Sequence, residues 1–126
     1  MISVAVWLAS DEAKIFKFNI DGVQLHHMRA SGKKHPAETQ GRNHPKEGGD
    51  ADRFFHEVAE FLIRDKGDRW LVMGPGLAKN HFQSHIDRHH APNAKKIVGV
   101  EAMDKSTDGE IKNFAQDFFK KIDKFE

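Results

Sequence analysis

Five fixed cations, Arg29, Lys33, Lys34, Arg42 and Lys46, fall within 18 consecutive residues that hold one acid, Glu38. The chain as a whole is almost balanced, with 20 Lys and Arg against 19 Asp and Glu. Attraction of a polyanion to the whole surface is therefore excluded, and any such affinity must come from a local patch. Guanidinium and ammonium groups in a stretch without aromatic residues suit phosphate contacts rather than base stacking. Four of the five lie in the 19-residue stretch SGKKHPAETQGRNHPKEGG, Ser31 to Gly49, which has no hydrophobic periodicity. Stretches of this length are uncommon in compact domains and are usually functional or disordered. A flexible basic loop is expected at 31–49.

A second constellation is Gly74-Pro75-Gly76-Leu77-Ala78-Lys79. Glycines allow close backbone approach, a following helix presents free N–H groups, and Lys79 adds a charge in the first turn, so Gly74 and Gly76 could form an anion-binding turn with Lys79. The spacing is neither GxxxxGK[ST] nor GxGxxG, and a tight strand-to-helix turn requires glycine in any case. A third constellation is His81, His85 and His89, four residues apart, followed by His90. Imidazoles at that spacing share a helical face and can chelate zinc. The HExxH arrangement would need a Glu inside the motif, where Phe82, Gln83 and Ser84 stand instead. A solvated polar face next to Phe82 and Ile86 is the preferred account of these histidines, since a metal site also needs outer partners that spacing does not supply. No metal is assigned, and His81, His85 and His89 stand as the alternative ligand set. His35 and His44 have no recognisable nucleophile partner. Asp11, Glu12 and Asp104 would have to converge to act as paired nuclease carboxylates, and turn or cap roles explain acids at such positions.

The elements that must position these groups follow from periodicity. Ile2 to Leu8, Ala13 to Ile20 and Val23 to Met28 read as strands of an antiparallel meander, turning at Ser10-Asp11-Glu12 and Asp21-Gly22. Asp50 is placed to cap a helix whose apolar positions Phe54, Phe55, Val58, Ala59, Leu62 and Ile63 recur at three and four residues. Trp70 to Met73 reads as a buried strand, Leu77 to His89 as a helix with Phe82 and Ile86 inward, and Ile97 to Met103 as another strand. Thr107 and Glu110 form a capping-box pattern before a last helix carrying Ile111, Phe114, Ala115, Phe118, Ile122 and Phe125. Phe114, Phe118 and Phe119 are expected in the core, as are Phe54 and Phe55. Strands alternating with helices in the second half imply parallel pairing. The fold class is therefore α/β, a mixed five-stranded sheet with about three helices.

The 126 residues fit one domain, with 38 % apolar content and ten Phe supplying a core. With no Cys, disulfide and thiolate metal sites are excluded. No apolar run has membrane-spanning length, and the first segment lacks the basic start of a signal peptide, so a soluble, cytoplasmic protein without a membrane partner is expected.

The order of elements, Ala13-Lys14-Ile15-Phe16 after a turn, Lys33-Lys34-His35 opening the long loop, Arg53-Phe54-Phe55 opening a helix, and Leu71 to Gly76 followed by Lys79 and Phe82 resemble the central domain of the eukaryotic and archaeal peptide-chain release factors and of Pelota. The resemblance spans nearly the whole chain, and GPGLAKNHF is its most specific piece. It implies a ribonuclease-H-like, release-factor central-domain fold over 1–126, a translation-linked role, and a small stand-alone bacterial-type relative of the translational-machinery or host-attachment kind. In release factors this loop carries Gly-Gly-Gln, which helps place water on the peptidyl ester. Here Gly48-Gly49 precedes Asp50, and Gln40 precedes Gly41-Arg42. A carboxylate cannot offer the amide's neutral donor, so hydrolysis is not carried over.

The expected function is non-catalytic binding of a ribosome or structured RNA, with Arg29, Lys33, Lys34, Arg42, Lys46 and Lys79 on the phosphate backbone and no cofactor. The alternatives are a metal-dependent hydrolase or nuclease, using Asp11, Asp104 or the His81 to His90 cluster, and a protein-interaction module.

Overall fold

The computed structural model of the protein describes residues 1–30 and 47–124, with side chains described from residue 52 onward in the second stretch. The elements are β1 (Ser3–Leu8), β2 (Glu12–Asn19), β3 (Gly22–Arg29), α1 (Glu47–Arg64), β4 (Arg69–Gly74), α2 (Ala78–His89), a 3-10 segment (Ala91–Lys96), β5 (Ile97–Ala102) and α3 (Asp108–Lys124). They form one five-stranded sheet in the order β3-β2-β1-β4-β5. The pairings β1–β2 and β2–β3 are antiparallel, whereas β1–β4 and β4–β5 are parallel. The expected mixed sheet is observed, with three α-helices and the 3-10 segment among the described residues.

β1 reads SVAVWL without alternation because both its faces are covered. Val4, Val6 and Leu8 join Ala13, Ile15, Trp70 and Val72 beneath Phe54, Phe55, Val58 and Leu62 of α1 and Phe82 and Ile86 of α2. Ala5 and Trp7 join Phe16, Leu71 and Met73 on the other face, against Ile111, Ala115 and Phe119 of α3. The result is a three-layer α/β/α arrangement with two apolar cores separated by the sheet.

Three local expectations are corrected. The β2–β3 hairpin is tighter than read, with Asn19 opposite Gly22 and Ile20 in the turn rather than the strand. Asn19 Oδ1 accepts from the Asp21 N–H at 2.9 Å, an Asx turn that ends β2 one residue early. α1 starts at Glu47, not after an Asp50 cap, so Gly48 and Gly49 belong to its first turn. Helix ends are set by margins of about 1 kcal/mol, and the apolar stripe fixes only the middle. Phe114 lies at the edge of the α3 stripe and is exposed, while Ile111, Ala115 and Phe119 are buried. The capping box is formed reciprocally: Thr107 N–H donates to Glu110 Oε1 at 2.9 Å, and Glu110 N–H donates to Thr107 Oγ1 at 3.1 Å. No helix among the described residues is long and apolar enough to cross a membrane.

Candidate functional site

Packing of α1 against α2 brings together three imidazoles from separate places in the chain. His56 comes from the middle of α1, His85 from the third turn of α2, and His90 from the residue just past the end of α2. Each offers a ring nitrogen, and these lie within 4.8 Å of one another. The His56 ring stacks on His90 at 5.2 Å between centroids and meets His85 edge-on at 5.7 Å. The exposed His89 approaches His85 at 4.6 Å. His85 is only 4 % exposed, because the same helical face carries Phe82 and Ile86 into the core. Neither of its ring nitrogens has a hydrogen-bond partner among the described residues, and His90 Nε2 also lacks one. A buried polar atom without a partner costs about 1–3 kcal/mol, so these nitrogens need an account.

The electrostatics favour uncharged rings at His85 and His90. Burial pushes His85 below the ordinary histidine value, the neighbouring His89, His90 and His56 push it further, and Asp52 opposes them. Burial also lowers His90, helped by His56 and His89 and opposed by Glu60. Glu60 Oε2 lies 3.1 Å from His56 Nε2, one helical turn away. A carboxylate accepting from one ring nitrogen leaves the lone pair on the other, the arrangement that orients metal-ligating histidines.

Among the described residues this is the one group of three or more His, Asp or Glu close enough to share an ion. Of the histidines named from the sequence, His85 and His90 belong to this group, His81 is exposed and outside it, and His56 completes it. Four-residue spacing drifts about 40° per step around a helix, so His81, His85 and His89 do not all face α1. His56 carried no signal in the sequence beyond its type, since its partners lie on another element.

The acids of the nuclease alternative form no such group. Glu12 Oε2 lies 2.7 Å from His27 Nε2 and 4.0 Å from Arg29. Burial raises the Glu12 carboxyl, but His27, Lys105 and Arg29 together hold it below the usual range. Asp11 is exposed, and its carbonyl accepts the Ala30 N–H at 2.9 Å.

In the Gly74 to Lys79 turn, the Lys79 ammonium is turned back to donate to the Gly76 carbonyl, and the side chain is buried. Its charge therefore serves the turn itself. Gly74 has φ +150°, and a Cβ there would come 2.1 Å from the Leu8 carbonyl oxygen, so close packing of β4 on β1 explains that glycine. Of the loop cations, Arg29 is exposed at the end of β3, while Lys33, Lys34, Arg42 and Lys46 lie outside the described residues, as do His35, Gln40 and His44. β3 and α1 are the described elements on either side of segment 31–46.

No protein-family model and no curated protein matches the sequence. Among solved structures the fold is similar to Archaeoglobus fulgidus Pelota, with a TM-score of 0.65 at 21% identity over 91% of this chain and 30% of that one. It is similar to Thermoplasma acidophilum Pelota, with a TM-score of 0.63 at 18% identity over 92% of this chain and 32% of that one. A third similar structure is the archaeal translation termination factor aRF1, at 0.55 and 17% identity over 97% of this chain and 40% of that one. The chain thus has a Pelota/release-factor-like domain fold and spans about a third of the length of these proteins.

Proposed function

We propose that the protein is a non-catalytic ribosome- or RNA-binding factor linked to translation, with its phosphate contacts in the basic segment. The single observation carrying this reading is the concentration of Arg29, at the end of β3, and of Lys33, Lys34, Arg42 and Lys46 in the connection from β3 to α1, against Glu38, in a nearly neutral chain. The likeness in fold to Pelota, and to a factor described as acting in translation termination, supports the choice of partner. Lys79 joins the set only if a phosphate displaces the Gly76 carbonyl from its ammonium.

Co-sedimentation with ribosomes across a salt series tests this. Binding should weaken steeply as salt rises, and replacing Lys33, Lys34, Arg42 and Lys46 together by Ala should abolish it with the fold intact. Undiminished ribosome or RNA binding by the quadruple variant would refute the assignment to this segment.

A further inference from the structure

We propose that His56, His85 and His90 form a binding site for a borderline divalent cation of the zinc class, which ties α1 to the end of α2. The site is independent of the basic segment, so failure of either reading leaves the other standing.

Three features support it. First, the donor set is already assembled: nitrogens in a tetrahedral zinc site bound at about 2.0–2.1 Å stand about 3.3 Å apart, and here they lie within 4.8 Å, a contraction within the reach of side-chain rotation. Second, the nitrogens are available. His85 is almost wholly buried with both ring nitrogens unpartnered among the described residues, and His90 Nε2 is likewise unpartnered. A core histidine kept for packing would be expected to hold at least one hydrogen bond. Third, the surroundings fit an ion. Glu60 beside His56 supplies the outer carboxylate that orients a ligating imidazole. An open groove of about 430 Å³, lined by Glu60, Ile63, Arg64, His90 and Asn93, reaches the cluster's edge at His90 from solvent. Three imidazoles without thiolate or a full carboxylate cage favour zinc, cobalt, nickel or copper over magnesium or calcium.

The position suggests what the ion does. α1 directly follows segment 31–46, and His56 lies on its middle turns. A cation held between His56 and the α2 residues would fix the helix onto which that segment runs, so the role assigned is structural.

The test is titration of untagged, chelator-stripped protein with Zn²⁺ against a chromogenic competitor, together with the visible absorption of bound Co²⁺. One ion per chain is expected, with the thermal midpoint raised on loading. His56→Ala and His90→Ala should each weaken binding about tenfold or more, and His81→Ala, on the exposed face of α2, should leave it unchanged. Circular dichroism checks that each variant folds. Metal-dependent shifts of the His85 imidazole resonances in the parent protein give a readout that needs no substitution. Absence of stoichiometric binding, unchanged His85 resonances on loading, or binding that survives the His56→Ala/His90→Ala double substitution would overturn the proposal.

Discussion

The imidazole of His26 stacks on the ring of Phe61, with centroids 4.3 Å apart and planes 19° from parallel. This contact joins an edge strand whose residues are almost all exposed to the helix packed over the sheet. Lys17 of β2 adds an ion pair to Asp65, just past α1, at 3.0 Å. The two elements bordering the basic segment are thus fastened to each other by an aromatic contact.

Phe61→Ala should destabilise the protein by about 1–2 kcal/mol, the loss of a half-buried ring together with its aromatic partner. A double-mutant cycle with His26→Ala should give a coupling of about 0.5–1.5 kcal/mol in urea unfolding. Strict additivity would show that the stack contributes nothing.

Gly74→Ala and Gly76→Ala should separate cleanly. At Gly74 the new methyl meets the Leu8 carbonyl oxygen at 2.1 Å, a backbone atom that cannot move without parting β1 from β4. A loss of roughly 3–5 kcal/mol, or failure to fold, is expected there. At Gly76, with φ +57° and nothing within 4 Å, only the left-handed backbone cost of about 1–2 kcal/mol applies. Equal thermal midpoints for the two variants would contradict this account.

The acid limb of the stability curve should depend on Asp123. Arg69 donates to both of its carboxylate oxygens, at 2.8 and 3.2 Å, and to Ser3 Oγ at 2.7 Å. Those Arg69 bonds hold the Asp123 carboxyl below its usual value despite a small opposing effect of burial. A carboxyl depressed in the folded state binds protons more readily when unfolded, so its contribution is complete above about pH 4 and is lost as pH falls through the lower folded value. Asp123→Asn should therefore lower stability at neutral pH and flatten the fall below about pH 4 in acid titration followed by circular dichroism.

Peptide release from a stalled ribosomal complex should not occur, because no Gly-Gly-Gln stands in the chain. Stoichiometric hydrolysis of the peptidyl ester, lost on changing Gln40, would show that another amide fills that role.

For RNA, three or four phosphate contacts through the basic segment correspond to a log-log salt slope of roughly −2 to −3 with single strands. Replacing the four loop cations by Ala should flatten that slope while leaving the thermal midpoint nearly unchanged, provided the cations are solvent-exposed.

The sheet and its helices were readable because their signals are local. Val4 and Val6 in an unbroken apolar run mark a strand covered on both faces, Phe54 to Leu62 repeats at helical spacing, and Thr107 with Glu110 is a cap written in four letters. The imidazole cluster was only partly readable, since His85 and the adjacent His90 stood out in the sequence but His56 did not. His56 is 29 positions before His85, and the two meet only through packing of one helix on another. His90 enters because the backbone turns at the end of α2, where its N–H bonds the Ile86 carbonyl, and i to i+4 reasoning applies only inside a helix. The start of α1 and the exposure of Phe114 were misjudged where energy differences are small.

The central place of β1 fixes the timing of assembly on the ribosome that makes the chain. β2 follows at once and pairs with one edge of β1, but the other edge waits for β4, which ends at Gly74, 55 residues after β2 ends at Asn19. At about 5–20 residues per second, that edge and the apolar side chains around it stay uncovered for on the order of 3–11 seconds of synthesis. The nascent hairpin is therefore the stage at which aggregation or chaperone capture competes most strongly with folding, and slow translation between β2 and β4 would lower the yield of folded protein.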